Sequence, residues 1–170
     1  MIMKNLMTLA LIGALSVSVT ACSKKADTPI AEMSEEQLAK KIAGRWMMED
    51  AIISQQGVGV RMYDSSVTYN ADGTSAGSAK MEIQIDEMPA EMRGFQMDGT
   101  STWTLNGNVI EDKISTMTVT PLAQNEQAGA MAQAMMAQMQ KAPASKATIV
   151  SVDKSTMVVN VEGQVLTYSR

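Results

Sequence analysis

Methionine is the side chain with the most distinctive chemistry in this sequence: 17 of the 170 residues are methionine, and 14 of these follow residue 21. Two groups stand out, one at Met88, Met92, Phe95 and Met97, and one at Met131, Met135, Met136 and Met139. Thioethers are apolar, flexible and polarisable, so these side chains suit an adaptable surface for an apolar ligand. They also bind Cu(I), a soft metal ion. Ordinary packing in a core is the third interpretation.

Other reactive side chains are scarce. The sequence has no histidine and a single cysteine, Cys22, which leaves no Ser-His or Cys-His pair and no usual zinc site. Carboxylates at Asp86, Glu87, Glu91 and Asp98 could exchange protons with a substrate, but no nucleophile or oxyanion-binding group accompanies them. We therefore predict no enzyme, no catalytic residue, no cofactor and no dedicated metal site, with Cu(I) binding by thioethers kept as an alternative.

A helix should position the second methionine group. At 100° per residue, Met131, Met135 and Met139 fall on one stripe together with two alanines, and Met136 borders that stripe. Alanine and methionine favour helices, so we expect a helix from about residue 126 to 141. Asn125 can cap its first turn.

The first 22 residues have the order of an export signal. Lys4 precedes an apolar run over residues 6–15, and small residues lead to Val19-Thr20-Ala21-Cys22, which resembles the lipobox of bacterial lipoproteins. The resemblance implies a signal peptide over residues 1–21, an acylated Cys22 and a tether over 22–33. Ser23, in place of aspartate, suggests the outer membrane. An ordinary signal peptide and a membrane-spanning helix are the alternatives, although the run is shorter than the ~20 residues that span a bilayer.

The charge of the chain limits its partners. After residue 21 there are 13 basic and 18 acidic residues, a net charge of −5. An acidic protein is repelled by the phosphate backbone of nucleic acid, so we do not expect nucleic acid as a partner. We expect the membrane, through the lipid anchor, and either a small apolar molecule or an envelope protein as partners.

The period of the sequence changes after a short helix. Ser34 and Gln37 have the form of a capping box, which predicts a helix to about Ile42. From Gly44 onward apolar and polar residues alternate, and Asn106-Gly107 predicts a type I′ hairpin. The expected strands cover residues 44–53, 58–70, 74–86, 99–105, 108–120, 147–153, 156–161 and 164–169. Their short connections predict an all-β domain over 34–170, an eight-stranded antiparallel up-and-down barrel, with a flattened sandwich as the alternative.

The start of the first strand resembles that of lipocalin-like (calycin-like) barrels. Gly44-Arg45-Trp46 follows a short helix, as Gly-x-Trp does in that family, and Tyr168-Ser169-Arg170 ends the chain. The resemblance implies a lipocalin-like barrel in which Arg170 packs over Trp46 and closes one end. In this plan the helix rich in methionine, alanine and glutamine is inserted between strands five and six.

Tracing the strands alternately up and down separates the two ends. Tight turns at 70–73, 106–107 and 153–155 gather at the end that holds Trp46, and the segments 87–98 and 121–146 gather at the other. This predicts a closed base and an open mouth lined by the two methionine groups. We expect an envelope lipoprotein that binds an apolar ligand, or a hydrophobic segment of a partner, at the mouth. A purely structural or assembly role is the alternative.

Overall fold

The computed structural model describes residues 29–55 and 58–170. The predicted signal peptide and Cys22 lie outside these residues. The helices are α1 (Glu35–Ile42) and α2 (Glu126–Met139), with 3-10 turns at Ile30–Glu32 and Ala90–Met92. The strands are β1 (Gly44–Met48), β2 (Ala51–Gln55), β3 (Val58–Tyr69), β4 (Thr74–Gln84), β5 (Gly94–Asn106), β6 (Val109–Pro121), β7 (Ser145–Val152), β8 (Thr156–Val161) and β9 (Gln164–Ser169).

Helix α1 forms where its capping box predicts it. The Ser34 side chain accepts a hydrogen bond from the backbone N–H of Gln37, and the Gln37 side chain accepts one from Ser34 N–H. These bonds satisfy donors that a helix otherwise leaves free at its start. Leu38 and Ile42 are buried, so the helix packs its apolar face onto the sheet.

The sheet is a closed antiparallel barrel. Neighbouring strands pair in the order β1-β9-β8-β7-β6-β5-β4-β3, and β1 pairs with β3 as well as with β9. Strand β2 continues along β3 beyond β1, so β1 and β2 together occupy one of eight positions around the barrel. The predicted all-β, up-and-down barrel is therefore confirmed.

Three details of the prediction are wrong. The first predicted strand is split at residues 49–50, opposite a bulge in β3 between Tyr63 and Ser66, where Asp64 has φ +48°. A bulge bends its strand, and the partner breaks where the pairing shifts. Because of this split, the inserted helix α2 lies after β6, not after a fifth strand. Strand β5 begins at Gly94, not at residue 99, because Gly94 pairs with β4 and the residues from Phe95 to Thr102 pair with both β4 and β6.

The hairpin at Asn106-Gly107 forms in a different register from the one expected. Asn106 pairs with Val109, so the two loop residues are Gly107 and Asn108, and only Gly107 has positive φ, at +62°. Glycine at the first loop position is typical of a type II′ turn. The turn with two positive φ angles, as type I′ requires, is instead Glu162-Gly163, at +51° and +90°.

The interior is divided into two apolar clusters. The lower cluster lies under the closed end and includes two tryptophans together with the buried face of α1; its buried residues are Leu38, Ile42, Trp46, Trp103, Ile110, Ile149, Val152, Met157, Val159 and Leu166. The upper cluster consists of Met81, Phe95, Val119, Ala128 and Ala132, the two alanines belonging to α2. Helix α2 therefore packs against β4, β5 and β6 in the upper part of the barrel.

Trp46 and Arg170 meet at the base of the barrel. Trp46 is fully buried, and the Arg170 guanidinium carbon lies 4.0 Å from the centre of the indole. The guanidinium donates to three backbone carbonyls, those of Lys154 (2.8 Å), Ala43 (3.0 Å) and Lys41 (3.1 Å). One side chain thus joins the last strand, the β7–β8 turn and the end of α1.

We predict that Arg170→Ala lowers the free energy of unfolding by about 1–2 kcal/mol, because it removes the cation–π contact and three charge-assisted hydrogen bonds at a partly exposed site. Arg170→Lys should recover only part of this loss, since an ammonium cannot span three carbonyls as a guanidinium does. Urea unfolding followed by tryptophan fluorescence measures both variants. Lys154→Ala is the control, because its backbone carbonyl remains; an equal loss in that variant would contradict the assignment.

Candidate functional site

A cavity of about 310 Å³ lies between the two apolar clusters. Ile110 of the lower cluster forms part of its wall, as do Met62, Met97 and Met117, which pack against the upper cluster. The interior of the barrel is therefore packed at both ends and hollow between them. A hollow eight-stranded barrel has room for one small ligand.

Most of the surface of the cavity wall is apolar, although nine of its side chains carry polar atoms. Its large apolar side chains are Met48, Met62, Val67, Met97, Ile110, Ile114, Met117 and Val161. Its polar side chains are Ser65, Ser66, Tyr69, Ser78, Thr100, Ser101, Asp112, Ser145 and Tyr168. A mainly apolar surface with polar groups at defined positions is the usual composition of a small-molecule site.

Unequal strand lengths open the cavity on one side. Strands β3 to β6 have 11 to 13 residues, whereas β7, β8 and β9 have eight, six and six. Strand β6 pairs with β7 only from Val109 to Asp112, and beyond Asp112 the two strands separate. Ile114, on the unpaired part of β6, lines the cavity and is 37% exposed. This gap between β6 and β7, called here the seam, is bordered by Asp112 and Ile114, which both line the cavity.

Asp112 stands at the lower end of the seam and lines the cavity. Its cross-strand partner on β5 is the buried Trp103. On β6, Asp112 lies on the inward face, between Ile110 and Ile114. Its Oδ1 atom is buried and has no hydrogen-bond partner among the described residues. A buried acceptor without a partner is costly, so this atom is ready to accept a hydrogen bond from a ligand.

Burial raises the pKa of Asp112, and hydrogen bonding with Ser101 and Ser75 offsets this rise only in part. Burial also raises the pKa of Tyr168, with a further contribution from the charge of Asp112. For Tyr69, burial again is the main cause of a raised pKa, followed by Tyr168 and Asp112. Both phenols therefore stay protonated across the physiological range, and Asp112 is the one carboxylic acid among the described residues of the wall.

The structure brings most of the predicted ligand-binding residues together in the upper part of the barrel. Seven of the eight residues belong to or pack against the upper cluster: Met92, Phe95, Met97, Met131, Met135, Met136 and Met139. The helix methionines are half-buried there, and Phe95 is fully buried. Phe95 and Met97 lie in strand β5 and not in a loop, and Met97 alone of the eight lines the cavity. Met88 is half-buried outside this cluster, in the loop before β5.

The sequence interpretation missed Asp112, although the alternation of β6 could have revealed it. Residues 110, 112 and 114 share one face of a strand because side chains alternate between its faces. Ile110 and Ile114 mark that face as the inner one, so an aspartate between them is a polar residue in an apolar series. What the pattern does not show is that the neighbouring strand ends beside Asp112.

The described residues were compared with two further kinds of site, a membrane-spanning helix and an acidic metal site, and contain neither. No helix within residues 29–55 and 58–170 combines the length and apolarity needed to cross a bilayer. Across those residues, no group of three or more acidic side chains is arranged to hold a metal ion.

Comparison with known proteins finds likeness among solved structures. No family model matches the chain, and no curated protein matches it. Among solved structures, it is similar to a lipocalin-like protein from Bacteroides uniformis ATCC 8492, with 11% sequence identity and a TM-score of 0.39. The match covers 76% of this chain and 98% of that one. Such a distant likeness says nothing about a ligand or a partner.

We predict that Asp112→Asn stabilises the fold at pH 7, because it removes a charge that burial disfavours. The gain should be about 1 kcal/mol at most, because the residue is only partly buried and water screens its charge. Folding raises the pKa of Asp112 above its value in the unfolded chain. Its contribution to stability is therefore fully present below the unfolded pKa and is lost as the pH rises through the folded pKa.

Urea unfolding at pH 4 and pH 7 measures this effect. The gain from Asp112→Asn should shrink toward pH 4, where the wild-type carboxyl is increasingly protonated. Asp86→Asn, at an exposed position in the loop before β5, is the control and should change stability little at either pH. A gain of the same size at both pH values would contradict the titration of Asp112.

Proposed function

We propose that this protein is an envelope lipoprotein that binds a small apolar molecule inside its barrel. The observation that carries the proposal is the cavity of about 310 Å³, with a mostly apolar wall that borders the seam. Burying an apolar ligand there removes its surface from water, which contributes roughly 25 cal/mol for each Å². In this proposal the ligand lies below the upper cluster, whereas the sequence analysis expected it at the mouth.

The role of α2 in this proposal is to close the end of the barrel that the long strands β3 to β6 form. Its stripe alanines, Ala128 and Ala132, are buried against Phe95 and Val119, and its methionines surround them. Thioethers fill irregular gaps in a core, which supports a packing role for this helix. Core packing of this helix agrees with a structural role, which was the alternative. The cavity, by contrast, supports ligand binding by the barrel.

Binding, and not catalysis, is the activity proposed. Asp112 is the single carboxylate on the cavity wall, and the tyrosines beside it have raised pKa values that keep them protonated. Acid–base catalysis generally needs a second group of suitable pKa, and covalent catalysis needs an activated nucleophile.

The proposed place of work is the periplasmic face of the outer membrane. The lipobox-like residues before Cys22 support acylation of this cysteine, and Ser23 supports transport to the outer membrane. The tether then leads to the barrel, whose first described turn, Ile30–Glu32, packs through Ile30 and Met33 against the lower cluster.

A cavity-filling substitution tests the binding site. Ala79 lines the cavity, and Ala79→Leu should reduce ligand occupancy at least tenfold by occupying the space. Native mass spectrometry of the full mature protein, purified from bacterial membranes in lipid nanodiscs, should show an organic adduct on the wild type that Ala79→Leu lacks. Ala130→Leu, on the exposed face of α2, is the matched control and should keep the adduct. A wild type that remains bare after exposure to envelope lipids would overturn the proposal.

The anchor is tested separately. Cells fed an alkyne-bearing fatty acid should label the wild-type protein, and Cys22→Ser should abolish the label because the acylated thiol is gone. The variant should also accumulate with its signal peptide attached, which a mass measurement detects. Labelling that persists in Cys22→Ser would show that this cysteine is not the site of acylation.

A further inference from the structure

Asp112 gives the cavity a charge that no side chain of the wall neutralises. The described wall contains no lysine and no arginine, and its other polar groups are hydroxyls. An ionised carboxylate in such a place is disfavoured unless a cation or several donors reach it. Ser101 and Ser75 hydrogen-bond with the carboxyl group, but its Oδ1 atom is buried and has no partner among the described residues.

The surroundings of Asp112 fit a positively charged group with an apolar body. Tyr69 and Tyr168 line the same cavity, and the face of an aromatic ring attracts an ammonium group at short range. Beyond them the wall continues upward through Ile114, Met62 and Met117. One ligand can therefore place a charge at the lower end of the seam and an alkyl or ring system in the apolar remainder.

We propose that the ligand of this cavity is an amphipathic cation, an apolar molecule with a protonated amine that binds the carboxylate of Asp112. This inference rests on the proposed function, since it names the chemical class of the molecule that the barrel holds. The same carboxylate repels fatty acids and other apolar anions, which would bring a second negative charge into a space with low dielectric constant.

The test compares three ligands that share one alkyl chain: hexylamine, hexan-1-ol and hexanoate. Isothermal titration calorimetry uses the full mature protein in lipid nanodiscs, with empty nanodiscs as the blank. The wild type should bind hexylammonium about tenfold more tightly than hexanol, as expected for a charge-assisted hydrogen bond, and hexanoate most weakly. Asp112→Asn should remove the preference for the amine, and Asp86→Asn, the matched loss of charge at an exposed position, should keep it.

A pH series on the wild type needs no variant. An alkylamine stays protonated between pH 4 and pH 8. Its affinity should therefore rise as the pH increases through the titration of Asp112 and then level off, while the affinity for hexanol stays constant or falls. An affinity for the amine that does not depend on pH would overturn the proposal even if Asp112→Asn failed to fold.

The outcomes separate the two proposals. Equal binding of amine and alcohol, tightest binding of hexanoate, or an amine preference that survives in Asp112→Asn would overturn the cationic ligand and leave an apolar binding site. Failure of all three ligands to bind the wild type would overturn the binding function itself.

Discussion

The pairing of β1 with both β3 and β9 is the interaction on which the rest of the structure depends. It converts a meander of antiparallel strands into a barrel, and it does so over very few residues: β9 meets β1 only at Met47 and Met48. So short a pairing gives few backbone hydrogen bonds. The side chains around it therefore supply much of the stabilisation that keeps the barrel closed. Trp46 fills the interior below this pairing. Arg170 covers Trp46 and binds three backbone carbonyls, one in the β7–β8 turn and two at the end of α1.

A barrel that is closed firmly at one end can be irregular above it. Strands β7 to β9 are short, β2 follows β3 away from β1, and β6 loses its partner beyond Asp112. Helix α2 then packs its alanines and methionines against the inner side of the long strands. The cavity is the space left between this upper packing and the tryptophan-rich base, so its position follows from strand lengths and not from any single motif.

Much of the fold follows from local patterns in the chain. The capping box at Ser34, the cap at Asn125 and the apolar stripe of α2 each involve residues within a few positions of one another, so the helices were predicted close to their observed bounds. The error at Asn106-Gly107 is a shift of one residue, because Asn-Gly can occupy either of two loop registers and cross-strand pairs choose between them. The early start of β5 depends likewise on partners on both sides.

By itself, then, the sequence determined the all-β class, the two helices, the acidic charge and the absence of histidine chemistry, because these are properties of composition and of neighbours along the chain. It also named the methionine group, but not what that group does. Only the tertiary structure placed those methionines in a core and left Asp112 on the wall of a cavity beside the seam. The reason is physical: burial and the loss of a strand partner are set by residues far apart in the chain, and no local period records them.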